Sequence, residues 1–515
     1  MSFNVRPLER KPSLLKRWAG TIAATITIVR PLVAWYCSWK AAQKRIRRIG
    51  ALKRVLTVLI ATLAALLLLA GVVRAVMMVS GVGVTEMMGV AGTPPPTDEH
   101  GYTNILLMGQ GDEDHDGKDL TDTVMIGSID PKTRSAVLLS LPRDLYFLST
   151  EKMGKGKLNT FYRDYKSYLR FQKGMDEQEA SSAAIRELSM EIGRSLGMEI
   201  HHAVKVDFIG FVKAVDALGG VDIDVPYDID DPEYPNTTYG FEPFVLKAGM
   251  RHLDGETALK YARSRHTSSD FGRSARQQQL LSALADQARE KGMLRNAGAI
   301  TSLFSIVSEH SETTLTVREI LGLAAAAESI EKDKILSLQL NDRNALYDSY
   351  IEPGGFLYTP PRDQFEGAAV LLPVSIPEFP VTWKQIKTFT TLLAEHRNIH
   401  LAKPTFAVLN AGAAPGTARR LSNELVRYGF TVERTENADS GKQDTSLILV
   451  SPEPDPAMDF FVKLLGLPTG PAPENFAPAQ RSRITILLGK DYRYVPIQDL
   501  MQNLTSTQSP ITNNQ

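Results

Sequence analysis

Hydrophobic positions fall into distinct regimes along this chain. Val55 to Val73 reads VLTVLIATLAALLLLAGVV, 19 residues without a charge and apolar on every face. About 20 such residues cross a bilayer as a helix, and a helix apolar all round is not a surface helix. The pattern predicts a transmembrane helix over 55–80. Trp18 to Trp39 is also largely apolar, but Arg30-Pro31 interrupts it. That break predicts a segment lying in the membrane interface, with Trp18, Trp35 and Trp39 at headgroup level. Thr93-Pro94-Pro95-Pro96-Thr97 then marks a stiff linker within 81–100.

Beyond residue 100 the periods of strands and helices take over. Asn104 to Gly109, Thr123 to Ile129 and Ala136 to Leu141 are short apolar runs. The last two are joined by Asp130-Pro131-Lys132-Thr133, which predicts a hairpin. Ser181 to Leu196 and Phe208 to Leu218 have helical spacing and end at glycines. Val221 to Val225 alternates with period two, as a half-buried strand does. Helices are also predicted over Leu253–Leu259, Ser274–Lys291 and Val317–Ser329, and a strand over Lys334–Gln339. This mixture predicts a layered α/β (α+β) domain over 101–375, a mixed sheet with flanking helices. A smaller α/β unit follows over 404–492, with strands at 406–409, 431–434, 446–450 and 484–488 and helices at 418–428 and 457–465. The tail, 493–515, is Thr/Ser/Asn/Gln-rich at its end and is expected to be disordered.

Charge orients this arrangement. Residues 1–54 carry thirteen Lys/Arg and a single acid, Glu9, whereas no Lys or Arg occurs between Arg74 and Lys118. The positive-inside rule places the basic N-terminus in the cytoplasm and the large domain outside the membrane. Over all 515 residues, 58 Lys+Arg balance 58 Asp+Glu, which removes any global attraction to nucleic acid. The lone Cys37 excludes a disulfide framework within the chain.

Three stretches carry candidate chemistry. Gly109 to Thr123 is an acidic loop between two strands, and hard divalent ions take carboxylates together with substrate phosphate oxygens. A solvated loop without a ligand explains the same acids. Pro142-Arg143-Asp144 follows a buried strand, where an arginine is placed to fork onto phosphate. Tyr261 to His266 precedes Asp270 to Gln278. If 261–266 is extended, Arg263 and Arg265 point to one side, and Arg273 and Gln277 share a helix face. Together these stretches suggest a pyrophosphate with a bridging Mg2+. His396 and His400 have i,i+4 spacing but lack the HExxH glutamate of a zinc hydrolase.

The order NILLMG, LTDTVMIGSIDPKT, VLLSLPRDLYF, KLNTFY, VDFIGFVKAVDALGGVDIDVP, AGMRHLDGETALKYARSRH and DFGRSARQQQ closely resembles the LytR-CpsA-Psr family over roughly 100–375. The stretch from Val408-Leu409-Asn410-Ala411-Gly412 resembles the LytR C-terminal domain. The resemblance implies a phosphotransferase that moves a glycopolymer from a polyprenyl-pyrophosphate carrier onto peptidoglycan. It implies Asp122 as a metal-binding aspartate and Asp112 as the second. Arg143, Arg263, Arg265, Arg273 and Gln277 match the pyrophosphate ligands, and Lys157 matches the lysine of a Lys-Ile/Leu-Asn motif. Where the family usually has an arginine two residues before the Asp-Thr aspartate, this chain has Leu120. Asp122 or Asp144 would take the acceptor's proton, with Arg143 beside them. Phe208, Phe211 and Val212 are candidates for lining an apolar lipid tunnel, or for ordinary core. Two other classes stay open: an envelope protein that binds the carrier or wall glycan without catalysis, and a lipid pyrophosphate hydrolase. Every phosphate and metal candidate from Asp112 to Gln277 lies outside the C-terminal domain, so that domain is expected to be dispensable for the chemistry.

Overall fold

Eight residues of mostly buried character, Thr103–Gln110, form the central strand β1. A strand buried on both sides reads as a continuous apolar run, as NILLM does. β2 (Thr121–Asp130) pairs antiparallel with it, and β3 (Ser135–Leu141) antiparallel with β2. Asp130 fixes the turn between them by accepting from Lys132 N and Thr133 Oγ1. The computed structural model describes residues 93–112, 118–235, 240–264, 270–342, 355–374, 381–450 and 454–505, with isolated positions 34, 38 and 40. The expected membrane span over 55–80, most of the interfacial segment and the tail beyond 505 lie outside the described residues. The first part of the tail, expected to be disordered, is instead helical over Ile497–Leu500 and Gln502–Thr505, because Ile497 is buried in the core. Among the described residues no helix is long and apolar enough to cross a membrane.

Two helices follow β3. α1 (Leu158–Lys173) has no counterpart among the elements predicted from the sequence pattern. α2 (Glu177–Leu196) starts at Asp176, which accepts from Glu179 N, and ends at Gly197 with φ 71°. A left-handed residue at a helix end favours glycine. β4 (His202–Val206) then pairs parallel with β1. α3 (Phe208–Ala217) is capped by Asp207. β5 (Val221–Val225) alternates buried and exposed positions as its sequence does. A hairpin of β6 (Ile229–Pro235) and β7 (Phe241–Leu246) is followed by β8 (Gly249–Leu253), which pairs with β5.

The next helices differ from expectation. α4 runs Gly255–Arg263, later than the anticipated 253–259. Its cap is Asp254, which accepts from Thr257 N, and a cap residue precedes its helix. α5 spans Asp270–Glu290, α6 Ala297–Val307, and α7 Val317–Glu328 with a complete Thr316/Glu319 capping box. β9 (Ser311–Thr313) and β10 (Ile335–Gln339) complete a six-stranded mixed sheet in the order β9-β4-β1-β2-β3-β10. Strands β1, β3, β4 and β10 run the same way. Their carboxyl ends therefore gather at one edge, the place where open α/β sheets bind ligands.

One sheet face, with Leu106, Ile126 and Leu139, packs on Ile185, Leu188 and Ile192 of α2. The other receives α5, held by buried Gln278. Its Nε2 donates to Ser140 Oγ at 2.9 Å and to the carbonyls of Leu138 and Leu338.

From Thr405 to Leu488 the C-terminal elements match the sequence pattern closely, whereas the two helices before them have no counterpart in it. After α8 (Lys384–Glu395) and α9 (Arg397–Leu401) come β11 (Thr405–Asn410), α10 (Thr417–Arg427), β12 (Thr431–Asn437), β13 (Leu447–Leu449), α11 (Pro456–Leu465) and β14 (Ile484–Leu488). They form a sheet in the order β12-β11-β14-β13, edged by Thr469–Gly470. This unit is not a separate bead. Residues 88–515 cluster as one compact body, and a single apolar core runs from Leu106 through Phe356 and Phe389 to Phe406 and Tyr428. Phe356 lies 4.9 Å from the Phe389 ring and 5.4 Å from the Tyr428 ring.

Candidate phosphate site at the sheet edge

At the carboxyl edge of the sheet, Gln110 pairs with Thr121. That pairing brings the ends of the acidic loop to neighbouring strands. Asp122, the second residue of β2, has a side chain 42% exposed. Its Oδ1 accepts from Arg143 Nη1 at 3.3 Å and from Asn159 Nδ2 at 3.1 Å. Arg143 also lies beside Asp144, Nε to Oδ2 at 3.6 Å, and Asp144 Oδ1 takes a 2.9 Å bond from Lys157 Nζ. Four of the residues singled out from the sequence thus form one chain of alternating charge: Asp122, Arg143, Asp144, Lys157.

The backbone explains why these groups meet. Asn159 N donates to Arg143 O, and Leu158 N to Leu145 O. The start of α1 is thereby stitched to the segment leaving β3. Asn159 is the site residue that sequence reasoning missed, although it stands within the KLNTFY motif. Asp119, in the left-handed region at φ 63°, accepts two bonds from buried Lys166 of α1. Burial works against the Lys166 ammonium, yet its bonds to Glu177 and Asp119 hold its pKa above the usual lysine value. This pair pins the returning end of the acidic loop.

The second arm starts from Asp112. Its Oδ1 accepts from Ile209 N at 3.0 Å, at the N-terminus of α3. The adjacent Phe208 carries the guanidinium of Arg263, 4.2 Å from its ring. Arg263 Nη1 also donates to Tyr234 Oη at 3.2 Å. Phe208 is therefore a platform for an arginine. Phe211 packs against the small cluster around Val221 and Leu253.

The extended conformation considered for 261–266 does not occur in its first half. Arg263 closes helix α4, so the two-residue alternation that would align it with Arg265 is absent there. Arg265 lies outside the described residues. Arg273 is buried on α5 at 5% exposure, and Gln277, one turn on, donates to Ala262 O at 3.3 Å. Gln277 thereby abuts the residue before Arg263. Arg276 ties the two helices together, with Nε donating to Tyr261 O at 2.9 Å and Nη2 to Ser264 O. Orphan carbonyls at a helix end need such donors, and the α4–α5 junction obtains them from Arg276. His396 and His400 do not form a metal pair, since His400 is buried with Nε2 on Tyr428 O at 2.9 Å.

The sequence model of the LytR_cpsA_psr family matches residues 84–359, more than half the chain. This protein belongs to the LytR-CpsA-Psr family. A second family, described as LytR cell envelope-related transcriptional attenuator, matches residues 403–492. Among curated LytR-CpsA-Psr relatives, the chain is 30% identical over 263 residues to the polyisoprenyl-teichoic acid–peptidoglycan teichoic acid transferase TagV of Bacillus subtilis, covering 50% of this chain and 60% of TagV. It is 24% identical over 402 residues to the cell wall biosynthesis protein LcpA of Corynebacterium glutamicum, covering 72% of this chain and 70% of LcpA. The alignment thus spans less than two thirds of TagV's own length. The crystal structure of B. subtilis TagV superposes with a TM-score of 0.41 at 26% identity, over 58% of this chain and 99% of that one.

Proposed function

We propose that this chain is a membrane-anchored phosphotransferase, with its large domain outside the membrane, that moves a glycopolymer from a polyprenyl-pyrophosphate carrier to a peptidoglycan hydroxyl. The observation that carries the reading is the alternating chain Asp122–Arg143–Asp144–Lys157 at the sheet edge, with the Asp112 and Arg263 arm rooted at the end of the neighbouring strand. Anionic phosphorus resists attack until its oxygens are neutralised. Arg143, Lys157, Arg263 and Arg273 are the cations that would neutralise them.

In the proposed step the acceptor hydroxyl oxygen bonds to the sugar-linked phosphorus. The bond from that phosphorus to the bridging oxygen breaks, and polyprenyl phosphate leaves. The hydroxyl proton passes to a carboxylate. Asp122 is the better placed, because Asp144 is only 19% exposed and is covered by Lys157 and Arg143. Asp144 then acts as a positioning residue for the two cations.

The residues present fit a Mg2+ ion. Asp112 and Asp122 are hard oxygen donors at the ends of adjacent strands. Gln110 Oε1 and Asn159 Oδ1 are buried amide oxygens without a hydrogen-bond donor. Among the described residues no cluster of three or more His, Cys, Asp or Glu side chains could cage a metal by itself. Mg2+ suits such a site, since it binds one or two carboxylates together with substrate phosphate oxygens. When bound, the ion would neutralise charge on those phosphate oxygens.

The test incubates purified protein with a lipid-linked oligosaccharide and peptidoglycan fragments, with and without EDTA. Ligated product that needs a divalent ion is expected. Free sugar phosphate would establish a hydrolase instead, and unchanged carrier a binding protein.

A further inference from the structure

At the end of the main sheet opposite the phosphate site, a cavity of about 230 Å3 opens between β1–β3, the end of α2 and helices α8 and α9. Asn104 and Gln110 are six positions apart on β1, so this cavity lies roughly 20 Å from the reaction centre at strand rise. Acids stand at its walls: Asp98, Glu99 and Glu199.

Two buried polar residues, Asn104 and Arg397, line it. Asn104 is 1% exposed. Its Nδ2 donates to Asp98 Oδ2 at 2.9 Å and to Glu199 O at 2.8 Å. Those bonds fix the amide's orientation and leave Oδ1 buried without a donor. A native buried acceptor in that condition calls for an explanation. Arg397, on α9, is 3% exposed. It donates to Ser128 O at 3.3 Å, Ser128 Oγ at 2.6 Å and Leu393 O at 3.5 Å, and lies 4.0 Å from the Tyr102 ring. A guanidinium has five N–H donors, so these three bonds leave two over. Asp98 and Asp130 act on it electrostatically, but among the described residues no carboxylate forms an ion pair with it. Ser128 faces Asn104 across the β1–β2 ladder. The unsatisfied acceptor and the cation thus border one space.

We propose that this cavity binds a small zwitterion of the amino-acid class. Its carboxylate sits on the Arg397 guanidinium, and its ammonium meets Asn104 Oδ1 and the acidic wall. Its apolar part rests on Ile126, Val137, Leu139 and Leu393. The zwitterion is favoured over a simple anion because acids and a cation line the same cavity. It is favoured over a simple cation because a cation alone would face buried Arg397. The same chemistry comes from a free amino acid or from the zwitterionic end of a diamino acid in a wall peptide. Since β1 and β2 form one wall and α8 and α9 another, the occupant would clamp the C-terminal unit to the catalytic sheet.

The full-length protein in detergent is titrated calorimetrically with L-valine, D-alanine, meso-diaminopimelate and a muramyl tripeptide ending in diaminopimelate. Isovalerate and isobutylamine serve as valine analogues lacking the ammonium and the carboxylate. Saturable binding of at least one zwitterion is expected, with each valine analogue at least tenfold weaker if valine binds. Free amino acids binding would identify a small-molecule occupant, and the muramyl peptide binding alone would identify wall peptide. Ala394→Phe, which fills the cavity, should abolish binding, and Arg397→Lys should weaken it at least tenfold in a folded protein. No saturable binding of any zwitterion up to about 10 mM, the weak end of specific affinity, overturns the proposal. Binding that survives both substitutions overturns it as well.

Discussion

Asn159 Nδ2 and Arg143 Nη1 converge on one oxygen, Asp122 Oδ1, at 3.1 and 3.3 Å. The amide fixes the carboxylate's orientation, and the guanidinium shares its charge with it. A hydrogen bond to a charged group contributes about 1.5–3 kcal/mol. Asn159→Ala should therefore lower single-turnover transfer by about ten- to a hundredfold, with carrier affinity little changed. Asp122→Ala should remove turnover altogether in a folded protein, and the double variant should lose no more than Asp122→Ala alone. Wild-type turnover in Asp122→Ala would refute the assignment of the base and metal ligand.

Arg263 is held by two aromatic side chains: Phe208 lies 4.2 Å from it and Tyr234 Oη accepts a hydrogen bond from its Nη1 at 3.2 Å. Stacking on a ring fixes the position of the guanidinium. Arg263→Ala should weaken carrier binding by about one to two decades, the worth of a charge-assisted contact. Phe208→Leu should give a smaller loss through the missing stack, of order 0.5–1 kcal/mol. Titration of each variant with carrier lipid measures both. Equal affinities for wild type and Arg263→Ala would remove this residue from the phosphate site.

The sequence carried the strands better than the juxtapositions. β2, β3, β5 and the C-terminal succession from β11 to β14 follow from apolar runs and caps, because local pattern and burial agree there. α8 escaped because the surrounding segment is rich in Thr and Lys, and only Ile386, Phe389, Leu392 and Leu393 on one face are buried apolar residues. Asn159 escaped for a different reason. An asparagine in a helix start has no signature of its own, and its bond to Asp122 spans 37 positions. Arg263 stands out by residue type, but it does not lie on a strand. Asp254 is a cap visible in the sequence, and Gly255 to Arg263 follows it as a helix.

The shared core changes the expectation for removing the C-terminal unit. A chain ending near Pro380 loses α8, whose Ile386, Phe389 and Leu392 are 0–1% exposed. It also loses Arg397, which bonds Ser128 of β2. Removing a large buried apolar side chain costs roughly 2–5 kcal/mol each, and a domain holds only about 5–15 kcal/mol in all. The truncated protein should unfold far below the full-length Tm or fail to accumulate folded. Calorimetry on both forms decides it. A truncation that keeps the full-length Tm would show that the main sheet stands alone, as the position of the phosphate candidates in the sequence suggests.

His400 makes this same junction sensitive to acid. Burial pushes its pKa down to about 4, while its bond to Tyr428 O works weakly the other way. Nε2 donates to that carbonyl, so Nδ1 is the unprotonated nitrogen, and it is buried without a donor. The ring stacks on Phe430 at 4.5 Å, leaving no solvent to stabilise an imidazolium. The folded pKa lies below the unfolded value of about 6.5, so the unfolded chain binds the proton more readily. Stability from this group is complete above pH 6.5 and declines as pH falls towards 4, by about 3 kcal/mol in all. His400→Gln retains a donor for Tyr428 O but does not titrate. Urea unfolding between pH 7 and pH 4 should show a shallower loss of stability in this variant than in wild type, even if its stability at pH 7 is lower. Identical slopes in the two proteins would mean that His400 is already protonated in the fold or never buried in it.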